Sequence, residues 1–163
     1  MNNESRPSIK NIDVIILSFF GVGFFPFAPG TMGSLATIPI LLILLYFNIH
    51  WIFIVPMIII LFCISCFLAN SVQKKFNLHD PSWIVIDEVL GMLVSFLFFS
   101  GPPWKLIYLF ILFRFFDITK IWPANYVDKN IKNGIGVILD DIISALYAGA
   151  SFFLIEYLLK NTA

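Results

Sequence analysis

The chain has 163 residues and a formal net charge of zero. It is 60% hydrophobic and only 12% charged, with a mean hydropathy of +0.93, whereas a soluble domain carries about 25% charged residues. No Asp, Glu, Lys or Arg occurs from Val14 to Gln73, which excludes a normally solvated globule, and the neutral balance gives no reason to expect a nucleic-acid partner.

Residues 1–11 form a polar tail containing Arg6 and Lys10. The apolar stretch behind it lacks a small-residue cleavage site, so the tail is expected to be retained. Residues 12–163 then make one helical membrane domain. Ile12 to Phe27 is apolar but broken by Gly21, Gly23 and Pro26, with Pro29 just beyond. Residues 12–33 are therefore expected to enter the membrane and return, or to lie at its surface. Pro39 interrupts the next run, Leu35 to Phe47 reads as helix, and Asn48-Ile49-His50 as a turn. Trp51 to Asn70 is the cleanest span, near the roughly 20 residues needed to cross, and Pro56 is tolerated in a membrane helix. Its Cys63 and Cys66 read as packing, because no other Cys or nearby His completes a metal site.

Gln73 to Ser82 is a polar loop, and Ile84 to Phe99 a helix stopped by SGPP at 100–103. Trp104 to Phe116 is a short helix, Asp117 to Asn133 a polar stretch breaking at Pro123, and Ile135 to Leu159 the last helix. The expected fold is all-α and polytopic, with about four transmembrane helices plus the re-entrant or interfacial N-terminal segment.

The positive-inside rule orients this arrangement. With the N-terminus in the cytoplasm, Arg6, Lys10, Lys74, Lys75, Arg114, Lys120, Lys129 and Lys132 fall on the cytoplasmic side, against Lys105 and Lys160 on the other. A single crossing by residues 12–33 would invert the remainder. In the favoured orientation Asp80, Asp87, Glu88, Asp117, Asp128, Asp140 and Asp141 gather near one membrane face, together with Arg114, Lys120 and the breaker-rich stretch 21–34.

Asp87-Glu88 lies in WIVIDEVLGM and Asp140-Asp141 in VILDDIISAL. A charge inside hydrocarbon costs about 2.5–3.5 kcal/mol on the mildest scale, so two adjacent pairs need a reason. Helix N-terminal ends favour acids through the dipole, which is the plain structural reading. The functional reading brings four carboxylates together, where mutual repulsion would push them towards protonation and a divalent cation would relieve it; Mg²⁺ takes carboxylate oxygens together with substrate phosphates. Gly91 and Gly136 sit four residues from an acid and would let helices approach closely.

Arg114 and Asp117 share a helix face as a salt bridge, or as a guanidinium held towards a phosphate. Lys120 adds a second cation or reaches for lipid headgroups. His79-Asp80 begins a loop capped by Pro81, with His79 a candidate proton carrier. In FPFAPGTMGSLATIP, Thr31 or Ser34 is a candidate cap, and free amides at such a helix start suit an anion. A divalent cation beside a cationic phosphate clamp at the membrane face is the equipment of phosphate-monoester hydrolysis on a lipid.

Three blocks carry a family resemblance: PGTMGS at 29–34, HD at 79–80 with VIDEVLGM at 85–92, and FRFFDITKIWP at 113–123 followed by DKN and GIGVILDD at 128–141. On them the chain resembles the phosphatidylglycerophosphatase A family, bacterial Mg²⁺-dependent lipid phosphatases of the inner membrane. The family often has Lys-Pro-x-Pro where this chain has Lys120-Ile121-Trp122-Pro123. The resemblance implies removal of the terminal phosphate of phosphatidylglycerophosphate to give phosphatidylglycerol, at a multi-pass inner-membrane site facing the cytoplasm, with no required protein partner. The residue roles expected are Asp87, Glu88, Asp140 and Asp141 for Mg²⁺, and Arg114, Lys120, Gly30, Thr31, Gly33 and Ser34 for the substrate phosphate. Asp80, His79, Asp117 and Asp141 are the expected catalytic groups, and attack by water or by an aspartate stays open. A CDP-alcohol phosphotransferase is the rival enzyme class, but its acidic array is not found. A cation transporter is the other rival, disfavoured because the acids cluster near helix ends beside Arg114 and Lys120.

Overall fold

The computed structural model describes residues 11–76 and 81–162, which form seven α-helices and two short 3-10 turns without a strand. In chain order these are α1 (Ile12–Leu17), a turn at Val22–Phe24, α2 (Pro29–Tyr46), α3 (Trp51–Phe76), α4 (Ile86–Phe96), a turn at Pro103–Lys105, α5 (Leu106–Thr119), α6 (Ala124–Asn130) and α7 (Gly134–Thr162).

Length and composition separate two kinds of helix. Among the described residues α2, α3 and α7 are long and apolar enough to cross a membrane. At 11 and 14 residues, α4 and α5 reach only about 16 and 21 Å, short of a hydrocarbon core of about 30 Å. The protein is thus an all-helical membrane protein, as expected, with three full-length candidate spans among the described residues and the shorter α4 and α5 beside them.

Apolar patterning explains where each helix sits. In α4 every residue except Glu88 is buried, as expected for a helix that beyond its acidic first turn is apolar on nearly all sides. It packs against α2, α3, α5 and α7. The surrounding helices expose Ile43, Phe53, Ile60, Phe67, Leu154 and Leu158, a continuous apolar exterior that suits lipid rather than water. Glycine sets two close approaches. A Cβ on Gly91 would run into the Phe113 ring of α5, and one on Gly134 would lie 2.8 Å from the Cys66 carbonyl of α3. Gly136, expected to open a helix–helix contact, instead meets Ile131 in the turn before its own helix. Ser95 Oγ donates to the Ala145 carbonyl at 3.2 Å, tying α4 to α7.

The N-terminal segment does not span. At six residues α1 rises only about 9 Å, and it buries Val14 and Leu17. The Val85 amide donates to the Leu17 carbonyl at 2.9 Å, and Phe24 stacks on Trp83 at 5.8 Å. These contacts fasten residues 12–24 to the approach into α4.

Four boundaries differ from expectation. α2 begins at Pro29 rather than near Leu35, so PGTMGS is helix and not a preceding turn. Proline suits the first helical position, and the polar residues behind it satisfy their own hydroxyls: Ser34 donates to the Gly30 carbonyl and Thr37 to the Gly33 carbonyl, at 3.0 and 2.9 Å. Neither Thr31 nor Ser34 is a cap, because the N-cap is Ala28 in a left-handed conformation. α3 runs on to Phe76, α5 runs on to Thr119 and so carries Asp117, and α6 occupies part of the expected polar stretch.

Candidate active site

Four helix ends meet around one polar cavity of about 350 Å³. Each acid arrives there for a local reason. Asp87 and Glu88 occupy the first turn of α4, where unpaired amides and the helix dipole favour negative charge; the Glu88 amide donates to Asp87 Oδ1 at 3.1 Å. Asp140 and Asp141 lie two turns into α7. The start of α7 is held by Asn133 Oδ1, which accepts from the Ile135 and Gly136 amides at 3.1 Å each. Asn70 Oδ1 of α3 accepts from the Gly134 amide at 2.8 Å. These bonds fix how far α7 is inserted, and therefore the level of its two aspartates.

The two cations are each committed to carboxylates. Arg114 Nη1 of α5 lies 2.5 Å from Asp117 Oδ2 and 3.9 Å from Glu88 Oε1. Lys120 caps α5 in a left-handed conformation at φ 43°, which turns its side chain back across the site. Its Nζ donates to Asp128 Oδ1 at 2.7 Å and to Asp140 Oδ2 at 2.6 Å. Burial works to lower the pKa of that ammonium, but the hydrogen bonds and charges of Asp128 and Asp140 outweigh it and hold it above its ordinary value.

The remaining acids form a compact set. Asp87, Glu88 and Asp141 each offer one carboxylate oxygen, and the three lie within 4.8 Å of one another. Glu88 Oε2 is buried without a hydrogen-bond partner among the described residues, and so is Arg114 Nε. Three crowded oxygen donors with one orphaned oxygen match the donor chemistry of a hard divalent cation, and an orphaned guanidinium N–H matches an incoming oxyanion.

Gly30, at the start of α2, allows this crowding. A Cβ there would overlap Glu88 Oε1 and lie 3.4 Å from Arg114 Nη1, so only a glycine lets α2 approach the carboxylate. The first-turn amides of α2 thereby stand beside the acids and the guanidinium.

Of the residues singled out in the sequence, Gly30, Asp87, Glu88, Arg114, Asp117, Lys120, Asp140 and Asp141 line this one cavity. Thr31, Gly33 and Ser34, expected to hold phosphate, do not line it. A Cβ on Gly33 would meet Val85, and Ser34 is fully buried with its hydroxyl on α2's own backbone. Asp140, expected among the metal ligands, is engaged by Lys120 and lies outside the three-acid set. His79 and Asp80 fall outside the described residues. Asn70 and Asn133 were missed as supports; Asn133 has a legible signal, an N-cap residue type before the last helix, whereas Asn70 acts across the fold and has none. A larger groove of about 570 Å³ between α5 and α7 is lined mainly by apolar side chains and carries the Lys105–Glu156 ion pair at 2.6 Å; it lies at the opposite end of both helices and lacks the converging acids.

The family model described as phosphatidylglycerophosphatase A matches residues 15–156. The chain is similar to a protein named phosphatidylglycerophosphatase A from Haemophilus influenzae, 39% identical, with 96% of each chain covered. It is also similar to the Escherichia coli protein of that name, 31% identical over 93% of this chain and 88% of the relative. A Bacteroides thetaiotaomicron protein provisionally named a phosphatidylinositol-3-phosphatase is 36% identical over 92% of this chain and 94% of its own. No solved structure matches the chain.

Proposed function

The chain belongs to the phosphatidylglycerophosphatase A family, and from that premise we propose that it hydrolyses the terminal phosphate monoester of phosphatidylglycerophosphate, releasing phosphatidylglycerol and inorganic phosphate. The observation that carries this reading is the convergence of Asp87, Glu88 and Asp141 with Arg114 in one cavity, all within the residues the family model matches.

Each residue has a task in that reaction. Asp87, Glu88 and Asp141 would hold Mg²⁺, with Asp140 kept out of the set by Lys120. Bound there, the cation supplies Lewis-acid polarisation of the phosphoryl group and neutralises the crowded carboxylates. Arg114 receives the phosphate oxygens, since its Nε is buried without a partner among the described residues. Asp117 holds the guanidinium in place through its ion pair. The first-turn amides of α2, at Gly30, add partial positive charge where the phosphoryl oxygens gather. The net change is attack of a water oxygen on phosphorus, cleavage of the bond to the headgroup oxygen, and return of a proton to that oxygen. The cavity also confines what enters: a phosphate on a short glycerol arm reaches acids at the helix ends while its acyl chains stay in lipid.

The site end carries Lys74, Lys75, Lys120, Lys129 and Lys132, and the far end Lys105 and Lys160. That bias supports a cytoplasm-facing site in the bacterial inner membrane. The test is phosphate release by purified protein in mixed micelles containing phosphatidylglycerophosphate, with phosphatidylinositol 3-phosphate and phosphatidic acid as comparisons. Release from phosphatidylglycerophosphate at the highest kcat/KM, dependent on Mg²⁺, is expected. No release by folded protein, or a clear preference for phosphatidylinositol 3-phosphate, would overturn the assignment.

A further inference from the structure

Lys120 presents a choice that the sequence leaves open: a cation beside a phosphatase site is the natural phosphate ligand, yet this one is already spent. Its Nζ makes two short hydrogen bonds, to Asp140 Oδ2 at 2.6 Å and Asp128 Oδ1 at 2.7 Å. One ammonium between two carboxylates carries a net negative charge, which repels a phosphate dianion. Arg114, by contrast, keeps a buried N–H without a partner among the described residues.

Asp140 meets Lys120 from the other side. It is 3% exposed, and a buried carboxylate needs a paired charge to stay ionised. Neighbouring residues on a helix point about 100° apart, so turning Asp140 towards Lys120 leaves Asp141 directed at Asp87 and Glu88. The Ser144 hydroxyl, which donates to the Asp140 carbonyl at 3.0 Å and the Phe116 carbonyl at 3.4 Å, adds a second tie between α5 and α7 one turn further along. The pair therefore acts on the register between these helices.

We infer that Lys120 and Asp140 form a positioning pair, anchored at the rim by Asp128, that sets α7 against α5 so that Asp141 completes the three-acid set, and that neither residue contacts the substrate phosphate or the metal. This rests on the proposed phosphatase reading only for its activity readout. Lys120→Met strands a buried carboxylate, and Asp140→Asn removes that charge, so the second change should repair the first. A phosphate ligand or a metal ligand would show no such repair.

The experiment compares wild type, Lys120→Met, Asp140→Asn and the double variant. Three quantities are read: phosphate release from phosphatidylglycerophosphate, inhibition by inorganic phosphate, and binding of Mn²⁺ followed by electron paramagnetic resonance without substrate. Lys120→Met is expected to lower turnover about tenfold or more, with the double variant recovering most of that loss through the coupling of a contacting pair. Mn²⁺ binding by Asp140→Asn and by the double variant should persist, weakened by no more than the roughly 10- to 100-fold that a lost supporting contact costs, while Asp141→Asn loses binding. Phosphate inhibition should be unchanged in the double variant. A double variant no more active than Lys120→Met, weakened phosphate inhibition, or loss of Mn²⁺ binding in Asp140→Asn would each overturn the inference. Should Lys120→Met fail to fold, Mn²⁺ binding by Asp140→Asn still decides whether Asp140 is a ligand. Should wild type release no phosphate, the Mn²⁺ titrations and the repair read as melting temperature still test the pair separately from the assigned reaction.

Discussion

Replacing Gly30 by alanine adds one methyl group at the tightest point of the site. That Cβ would lie 2.9 Å from Glu88 Cδ and 3.4 Å from Arg114 Nη1, with Glu88 Oε1 nearer still. The Glu88 carboxylate has to retreat by about 1 Å, and a misplacement of that size costs about 10²-fold in rate, or roughly 2.7 kcal/mol of transition-state stabilisation. Stability moves the other way or hardly at all, because alanine is favoured over glycine in a helix by up to about 1 kcal/mol. The expected result is a protein that melts within a few degrees of wild type in detergent yet releases phosphate about a hundredfold more slowly. The assay pairs circular-dichroism melting with phosphate release from the lipid in mixed micelles. Turnover within threefold of wild type would refute the idea that the approach of α2 to Glu88 matters for catalysis; a large fall in melting temperature would mean the methyl disturbs folding instead.

Arg114→Lys keeps the charge but loses the planar fork, so kcat should fall about 10²-fold, with loss of phosphate inhibition as the companion readout. Chelation of divalent ions should stop phosphate release and added Mg²⁺ should restore it; turnover persisting in chelator would remove the metal from the mechanism. Glu156 is 7% exposed and paired with Lys105 at the far end of the molecule. Glu156→Gln should lower stability by up to about 3 kcal/mol and leave the turnover of the surviving folded protein intact. The Lys120 ammonium is held above its ordinary value by Asp128 and Asp140. Such a group contributes stability that is complete below the unfolded value of about 10.4 and is lost only as pH rises through the higher folded value. The fall in melting temperature caused by Lys120→Met should accordingly be the same at pH 7 and pH 9.

Several features were legible along the chain because they depend on composition and local order. Sixty uncharged residues cannot be solvated, so a membrane protein followed directly. The acid pairs stood out because a charge in an apolar run is costly, and Asp87, Glu88, Asp117, Asp140, Asp141, Arg114, Lys120 and Gly30 do share one cavity. The sequence puts the start of α2 too late, since PGTMGS has the composition of a turn; the Ser34 hydroxyl, and Thr37 just beyond it, bond back to their own helix, a solution that composition does not reveal. α4 reads as a span by its hydrophobicity, which records burial without distinguishing burial in lipid from burial in protein; α5 buries Leu109 and Phe113 but exposes Ile107, Ile111 and Phe115.

What only the tertiary structure decided is which of the like charges meet. Asp140 and Asp141 are chemically identical and adjacent, and no local rule separates them. Lys120 of α5 draws one aside, and α4 presents Asp87 and Glu88 to the other. Phosphate ligand or strut is the same residue type in either case, and the difference lies in which carboxylates the fold brings within hydrogen-bonding reach. The sequence determined that acids and cations would be paid for somewhere in a membrane; the packing of α5 against α7, and of Gly30 against Glu88, decided which of them meet, because electrostatic pairing depends on distances that separate helices set together.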